Sequence, residues 1–111
     1  MNNIYITIDK NPNSPHRAIL AHIPTGADNA VSMKDLARVL GEDQRTVRLQ
    51  IEKARLDRNI IASTDQGYFI PETESELREY VRRSWARIKT SYATLAPALT
   101  FLGDFFDDTN E

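Results

Sequence analysis

Cysteine is absent from the 111-residue sequence, and glycine, histidine and tryptophan are scarce, with four, two and one residues. Without cysteine, a disulfide framework, a thiol nucleophile and a thiolate metal site are excluded. No apolar run approaches membrane-spanning length, and the N-terminus lacks the basic region, apolar run and small-residue cleavage site of a secretion signal. We therefore expect a soluble, cytoplasmic protein without a membrane partner.

Sequence patterns of enzyme sites are also missing. There is no glycine loop that would cradle phosphate and no Ser-His-Asp set with local sequence support. His16 and His22 lie six residues apart, so on a helix they would point about 120° away from each other, which is poor geometry for a shared metal. The cluster of Asp104, Asp107 and Asp108 favours a disordered acidic tail over a cation site. We predict no enzyme activity, no cofactor and no metal.

Charge is distributed unevenly along the chain. The formal net charge is −2, but residues 1–58 carry nine Lys or Arg against seven Asp or Glu, and residues 59–111 carry five against nine. An acidic protein can still bind DNA through a local basic surface, with weaker electrostatic attraction than a basic one. The total charge therefore does not exclude a nucleic-acid partner.

The segment from residue 32 to residue 58 predicts two short helices joined by a tight turn at Gly41. Ser32 and Asp43 are the predicted N-caps, and Gly41 is the expected C-terminal stop because glycine adopts the left-handed conformation at low cost. Apolar spacing gives each helix one buried face: Leu36, Ala37 and Leu40 in the first, and Val47, Ile51 and Ala54 in the second. This is the pattern of a helix-turn-helix.

The flanking segments predict further short elements. Ser14 as a cap and Pro15 at the first helical position open a helix to about Ile23, with Ala18, Ile19 and His22 facing inward. Residues 60–62 and 68–70 predict two strands around a loop at residues 63–67, and residues 30–31 a minimal third strand. Residues 4–8 alternate as a strand that either covers a sheet edge or serves as an arm reaching a partner.

Three stretches in this order, HRAILAHI, MKDLARVLGEDQRTVRLQI and IIASTDQGYFI, resemble the winged-helix domains of bacterial and phage regulators. The resemblance covers Ser14 to Pro71 and is closest to the helix-turn-helix at the N-terminus of biotin-operon repressors. It implies a three-helix core with a β-hairpin wing and, by association, a regulator of phage or mobile-element type. One departure is that the wing tip, Thr64 to Gln66, lacks the Arg or Lys with which wings usually grip the DNA backbone.

The second helix would act as the recognition helix in a major groove. Arg45 and Arg48 can each fork onto a guanine edge, Gln44 can pair with adenine, and Thr46 can contact phosphate or a thymine methyl. Further cations are expected to contact the DNA backbone or to remain solvated: Lys34, Arg38, Arg55 and Arg58. In a dimer, two such helices would read half-sites about one helical turn apart in a near-palindromic duplex.

A long helix is predicted from Thr73, where Thr73 and Glu76 match a capping box. Apolar residues then repeat at spacings of three and four: Leu77, Val81, Trp85, Ile88, Tyr92, Leu95, Leu99, Leu102 and Phe106. Pro97 is expected to break or kink the helix. This seam either folds back onto the rest of the chain or pairs with a second chain, and its length favours a homodimer.

Together these patterns predict an α+β, mostly helical fold. Its parts are an N-terminal strand or arm at residues 1–13, a winged helix-turn-helix domain at 14–71, a dimerisation helix at 72–106 and an acidic tail at 107–111. We expect a dimeric, sequence-specific regulator of transcription that binds double-stranded DNA. The alternative is a protein-binding module, such as an adaptor or an inhibitor of a host complex, which the acidity, the uncharged wing tip and the apolar C-terminus favour.

Overall fold

A computed structural model describes residues 3, 4, 6 and 13–103. The fold is α+β and mostly helical, with a two-stranded antiparallel hairpin and a long C-terminal helix, as the sequence predicts. The elements, in chain order, are α1 (Arg17–Ala21), a 3₁₀ turn (Ala27–Asn29), α2 (Met33–Leu40), α3 (Gln44–Leu56), β1 (Ala62–Thr64), β2 (Gly67–Phe69) and α4 (Glu74–Leu102). The chain forms two compact units, Met1–Tyr80 and Val81–Glu111, which are described separately.

Helices α2 and α3 begin and end where their caps predict. The hydroxyl of Ser32 accepts a hydrogen bond from the Asp35 N–H at 3.1 Å, and Gly41 closes α2 in the left-handed conformation with φ of 67°. A carboxylate oxygen of Asp43 accepts from the Thr46 N–H at 2.7 Å. Hydrogen bonds from Thr46, first of all from this N–H, lower the pKa of the Asp43 carboxyl. The predicted turn at Gly41 is confirmed.

The core of the N-terminal unit lies between the first three helices and the segments that flank the hairpin. Val47, Ile51 and Ala54 are buried, which confirms the predicted inner face of α3. The cluster of buried residues is Ile19, Leu20, Ile23, Leu36, Ala37, Val47, Ile51, Ala54, Ile61 and Ile70. Full burial of such a side chain contributes about 1.5–3 kcal/mol, so this cluster holds α3 in one rotational setting.

Helix α3 ends in a left-handed residue that is not glycine. Arg58 has φ of 72°, its N–H donates to the Arg55 carbonyl at 3.0 Å, and the Asn59 N–H donates to the Ala54 carbonyl at 3.1 Å. The Asn59 side-chain amide donates to the same Ala54 carbonyl at 2.9 Å. These bonds satisfy the last carbonyls of the helix and turn the chain, so that Ile61 enters the core.

The hairpin is shifted relative to the prediction of strands at residues 60–62 and 68–70. Ala62 pairs with Phe69, Ser63 with Tyr68 and Thr64 with Gly67, so only Asp65 and Gln66 form the turn. The expected five-residue loop is therefore wrong. The polar residues Ser63 and Thr64 satisfy their backbone groups in the ladder, and a two-residue connection suits the twist of a tight hairpin.

Val31 supplies a third strand of a single residue, as the sequence indicates. Its N–H donates to the Tyr68 carbonyl at 2.9 Å, and the Tyr68 N–H donates to the Val31 carbonyl at 2.8 Å. Gly67, with φ of 135°, lies so close to the Val31 backbone that a Cβ there would clash with it. Only glycine fits this crossing of two backbones.

The first helix is shorter than predicted and begins later. It covers Arg17–Ala21, and Ser14 accepts a hydrogen bond from the His16 N–H at 3.2 Å instead of capping a helix that starts at Pro15. Buried His16 occupies the cap position, and its Nε2 lies 2.5 Å from a carboxylate oxygen of Asp57 at the end of α3. This link between residues far apart in sequence fixes where the helix starts.

The inward face of α1 also differs from the prediction. Ile19 is buried as expected, but Ala18 and His22 are exposed, and Leu20 and Ile23 fill the core instead. A helix of five residues makes little more than one turn, so helical periodicity over residues 14–23 could not identify its inner face.

Only part of the predicted N-terminal strand, and none of the predicted acidic tail, can be compared with the structure. Asn3 forms an antiparallel bridge with Thr73, and the Ile4 N–H donates to the Glu72 carbonyl at 3.0 Å. Ile6 packs against the core of the N-terminal unit. The other positions of the strand, at residues 5, 7 and 8, lie outside the described residues, as do Phe106 and the acidic positions from Asp104 onward.

Helix α4 starts at the predicted capping box and does not end at Pro97. The Glu76 N–H donates to the Thr73 hydroxyl at 3.2 Å, and the Thr73 N–H donates back to Glu76 at 3.4 Å. Of the two alternatives expected at Pro97, the break is wrong, because the helix continues to Leu102. The kink stays a prediction. Pro97 has no N–H for the Ala93 carbonyl, and both residues are exposed, so water can hydrate that carbonyl.

Glu76 joins the start of α4 to the 3₁₀ turn. Its carboxylate accepts hydrogen bonds from the N–H groups of Ala27 and Glu72, both at 2.7 Å, and from that of Thr73. Partial burial disfavours the charged form, but these three hydrogen bonds outweigh it and lower the pKa of the Glu76 carboxyl. One carboxylate thus satisfies backbone donors from two segments.

Substituting Glu76→Gln should reduce the free energy of unfolding by about 1–2 kcal/mol at pH 7, because an amide replaces one acceptor oxygen with a donor. A lowered folded-state pKa contributes stability above the unfolded value, near 4.5, and the contribution is lost as pH falls through the folded pKa. The free energies of unfolding of Glu76→Gln and wild type should therefore become more similar below about pH 4.5. Urea unfolding across pH measures it, with exposed Glu52→Gln as the matched control; a constant difference would contradict the assignment.

Candidate nucleic-acid interface

The buried face of α3 determines which of its side chains point outward. Successive residues turn by about 100° around a helix, so residues opposite Val47, Ile51 and Ala54 project away from the core. Gln44, Arg45, Arg48 and Leu49 are all exposed. The first half of α3 therefore presents two guanidinium groups, one amide and one aliphatic side chain.

Arg45 and Arg48 are the cations of this surface that have no internal partner. Neither guanidinium makes an ion pair or hydrogen bond with the residues that the structure describes. They lie three residues apart, about 4.5 Å along the helix axis, on the outward side of one turn. An exposed guanidinium of this kind keeps its forked donors available for a ligand with paired acceptors.

The remaining predicted contact residues differ in their availability. Lys34 is exposed, and exposed Arg38 pairs with Asp35 at 3.1 Å across one turn of α2. Such a surface pair is weak, so Arg38 can exchange it for another anion. Thr46 is half-buried, and its N–H is engaged by the Asp43 cap. The side chain of Thr46 is therefore less accessible than those of Gln44, Arg45 and Arg48, which are exposed.

The expectation that Arg55 reaches outward is wrong. Its Nε donates to the Ile61 carbonyl at 2.9 Å, and its guanidinium carbon lies 5.8 Å from the centre of the Tyr68 ring and 5.6 Å from that of Tyr80. Both distances fall within the range of cation–π attraction. Nη2 is buried without a hydrogen-bond partner in the described part of the chain. Arg55 is a structural residue that ties α3 to the hairpin and to the first turns of α4.

The hairpin tip carries no Lys or Arg. The turn is formed by Asp65 and Gln66, and the Gln66 N–H donates to the Thr64 hydroxyl at 3.1 Å. A phosphate has no cationic partner at this tip, so a nucleic acid would meet the hairpin only through polar groups. The exposed basic residues of α2 and α3 are Lys34, Arg38, Arg45, Arg48 and Lys53, and α4 carries five more.

Sequence reasoning missed two apolar residues on the outward side of α3. Leu49 and Leu56 are 47% and 76% exposed, one turn and three turns beyond Arg45. The sequence could have identified them, because both lie opposite Val47, Ile51 and Ala54, and a leucine outside the buried face must face solvent or a ligand. The outward surface of α3 is therefore partly apolar.

The predicted dimerisation residues divide between the two units. Leu77 belongs to the N-terminal unit and is half-buried. The others share one face of α4 in the second unit, where Leu99 is half-buried and Trp85 and Tyr92 are 57% and 59% exposed. The exposed members of this face are Val81, Trp85, Ile88, Tyr92, Leu95 and Leu102. These residues form a continuous apolar stripe.

Comparison with known proteins identifies no relative: no family model, curated protein or solved structure matches the chain. Among the described residues, none of the helices has the length and hydropathy that crossing a membrane requires.

Replacing Arg55 with lysine should lower the free energy of unfolding by about 1–3 kcal/mol. Lysine lacks the planar fork that reaches the Ile61 carbonyl while its faces meet Tyr68 and Tyr80. Arg48→Lys on the exposed side of the same helix is the matched control and should change stability by less than about 0.5 kcal/mol. Chemical denaturation measures both, and equal effects would contradict the structural role of Arg55.

Proposed function

We propose that this chain is a sequence-specific double-stranded DNA-binding protein of the winged helix-turn-helix type that acts as a homodimer. The observation that carries the proposal is the pair Arg45 and Arg48, exposed and without an internal partner on the first half of α3. A recognition helix contacts base edges with residues at this end.

The order of elements supports the winged-helix assignment. Three helices are followed by an antiparallel hairpin, and Val31 before α2 adds one bridge to β2. In a winged helix, the second and third helices form the helix-turn-helix and the hairpin forms the wing. Gly41 and Asp43, which end α2 and begin α3, set the short connection between the two helices.

Each outward residue of α3 suits a particular contact in a major groove. Arg45 and Arg48 can donate two hydrogen bonds each to O6 and N7 of guanine, and Gln44 can bond to N6 and N7 of adenine. Leu49 offers an apolar surface to a thymine methyl group. Lys34 and Arg38 on α2 are available for phosphate, and this contact sets register without reading sequence.

A second copy of the chain is the partner that we propose for the apolar stripe of α4. The half-exposed side chains at Val81, Trp85, Ile88, Tyr92 and Leu95 repeat at coiled-coil spacing. A symmetric dimer presents two identical recognition helices, so its target is a near-palindromic duplex. Occupancy of such a site suits regulation of transcription in the cytoplasm, including by a phage or mobile element.

DNA binding should be lost when both recognition arginines are removed. We expect Arg45→Ala with Arg48→Ala to weaken binding to a selected duplex by at least about 100-fold, since each good bidentate contact is worth about 1–3 kcal/mol. Wild-type affinity should fall steeply with salt concentration. Fluorescence anisotropy with a labelled duplex measures both effects.

The matched control is Arg17→Ala with Arg87→Ala, which removes the same charge from exposed positions on α1 and α4. It should bind within a few-fold of wild type. Equal weakening by both double variants would mean that only net charge matters and would contradict sequence-specific readout by α3. Failure of every duplex to bind at low salt would contradict DNA binding altogether.

A protein partner is the second candidate function, and exposed Leu49 and Leu56 are the observation that favours it. Apolar side chains two turns apart on one helix face suit a hydrophobic groove. Leu56→Gln discriminates the candidates. If α3 reads DNA with its first half, Leu56→Gln should leave duplex affinity within a few-fold of wild type. If a protein partner binds the face formed by Leu49 and Leu56, Leu56→Gln should disrupt that complex.

Self-association through α4 should be lost when a charge is placed in the apolar stripe. We expect Ile88→Glu to be monomeric in light scattering at concentrations where the wild type is a dimer, because a carboxylate would be desolvated in the interface. Thr90→Glu introduces the same charge at an exposed position outside the stripe and should remain dimeric. A monomeric wild type would contradict the proposed homodimer.

A further inference from the structure

The apolar stripe of α4 separates by size into two sets of heptad positions. Spacings of three and four place Trp85, Tyr92 and Leu99 at the a positions. The d positions hold only aliphatic residues: Val81, Ile88, Leu95 and Leu102. Within the stripe, the bulky aromatic rings are therefore confined to the a position, while exposed Phe101 lies outside the stripe at a c position. This distribution restricts how two copies can pair.

Chain direction decides which positions meet. In a parallel pair, each a residue meets the same residue of its partner, so layers of two Trp85 or two Tyr92 side chains would alternate with thinner aliphatic layers. In an antiparallel pair, each a residue meets a d residue, and every aromatic ring then packs against an aliphatic side chain. The second arrangement gives layers of nearly equal volume, as close packing requires.

Charge distinguishes the two antiparallel registers that place Trp85 opposite Leu95 or opposite Leu102. The e positions that flank the stripe hold Arg82, Lys89 and Ala96, and no acidic residue occupies an e or g position between residues 82 and 98. When Trp85 is opposite Leu95, Lys89 faces the partner's Lys89 across the symmetry axis. When Trp85 is opposite Leu102, Lys89 faces the partner's Ala96 and no like charges meet. The second register is favoured because like charges directly opposite each other repel.

Pro97 lies where it cannot disturb such a pair. It occupies the f position, which points away from a partner helix, and Ala93, whose carbonyl loses its helical donor, occupies the outward b position. Both residues are exposed, and α4 continues through them to Leu102. The stripe is therefore continuous on both sides of the proline.

We propose that α4 pairs with α4 of a second copy in antiparallel orientation, with Trp85 against the partner's Leu102, Ile88 against the partner's Leu99 and Tyr92 against the partner's Leu95. The proposal rests on the homodimer of the proposed function and specifies its interface. Pairing through α4 can be measured without DNA, so its test is separate from that of duplex binding. If antiparallel pairing of α4 is not found but a duplex still binds, the proposed role of α3 in DNA binding is unaffected.

The absence of cysteine makes orientation directly measurable. Ala93→Cys and Thr100→Cys each place one spin label at an exposed b position of the full chain. In the proposed register, the two labels at residue 93 are offset along the helix axes by about 2 Å and those at residue 100 by about 20 Å. Pulsed dipolar spectroscopy should therefore report a clearly longer distance for Thr100→Cys than for Ala93→Cys.

Each other outcome of the spin-label experiment overturns part of the proposal. Equal distances at the two positions would mean parallel pairing. An axial offset of about 30 Å at residue 100 would mean the register that opposes Lys89 with the partner's Lys89. Absence of dipolar coupling, together with a monomer mass in light scattering, would mean that α4 does not pair with a second copy.

A gain of affinity provides the second test. Ala96→Glu should tighten the dimer about threefold, because the carboxylate introduced in each copy forms a surface ion pair with the partner's Lys89, and symmetry makes two such pairs. Ala98→Glu is the matched control at a g position that faces the partner's Ser91, and it should not tighten the dimer. Dilution monitored by light scattering measures both constants, and no gain from Ala96→Glu would overturn the register.

Discussion

Burial of Val47, Ile51 and Ala54 is the constraint on which the proposed interface depends. These three side chains occupy one side of α3 and pack into the core with residues of α1 and α2 and with Ile61 and Ile70. Rotating α3 by one residue would expose part of this set at a cost of several kcal/mol. The core therefore determines that Arg45 and Arg48 face outward, although neither arginine contributes to the core.

Position along the helix divides the arginines of α3 between two roles, because Arg48 and Arg55 lie about two turns apart on the same side. Arg55 lies on the flank of the helix, where the Ile61 carbonyl and the rings of Tyr68 and Tyr80 receive its guanidinium. No carboxylate of the described residues pairs with Arg55, so a backbone carbonyl and two aromatic rings take the place of an ion pair. Arg45 and Arg48 have neither kind of partner within the described chain and keep their donors for a ligand. Identical side chains on one helix thus serve stability and recognition.

Local chemistry explains which parts of the fold could be predicted. The caps at Ser32, Asp43 and Thr73, the stop at Gly41 and the inner face of α3 all depend on residues within one or two helical turns, and all are confirmed. Helix continuation through Pro97 runs against local preference, because proline removes one helical hydrogen bond and crowds the Ala93 carbonyl. The exposed position of both residues lets water hydrate that carbonyl. The periodicity of α3 placed Arg45, Arg48 and Arg55 away from its buried face, and the exposure of Arg45 and Arg48 is confirmed.

The incorrect predictions depend on contacts between distant segments. His16 meets Asp57 across 41 residues, and this contact sets the start of α1. The hairpin register depends on Val31, which bonds to Tyr68 and excludes a side chain at residue 67. The groups that contact Arg55 lie just before β1, on β2 and on α4. Because these segments are distant from α3 in sequence, the periodicity of α3 wrongly placed Arg55 on the surface. Periodicity within one segment contains no information about such partners.

Selection of bound fragments from a pool of random duplexes tests the central claim most directly, because it requires no assumption about the target. If α3 reads base edges from a symmetric dimer, successive rounds with the wild-type chain should converge on one near-palindromic sequence. That sequence should contain guanines, and the preference for guanine at those positions should disappear when Arg45 or Arg48 is replaced. A pool that shows no enrichment, or an unchanged consensus after both replacements, would contradict the account.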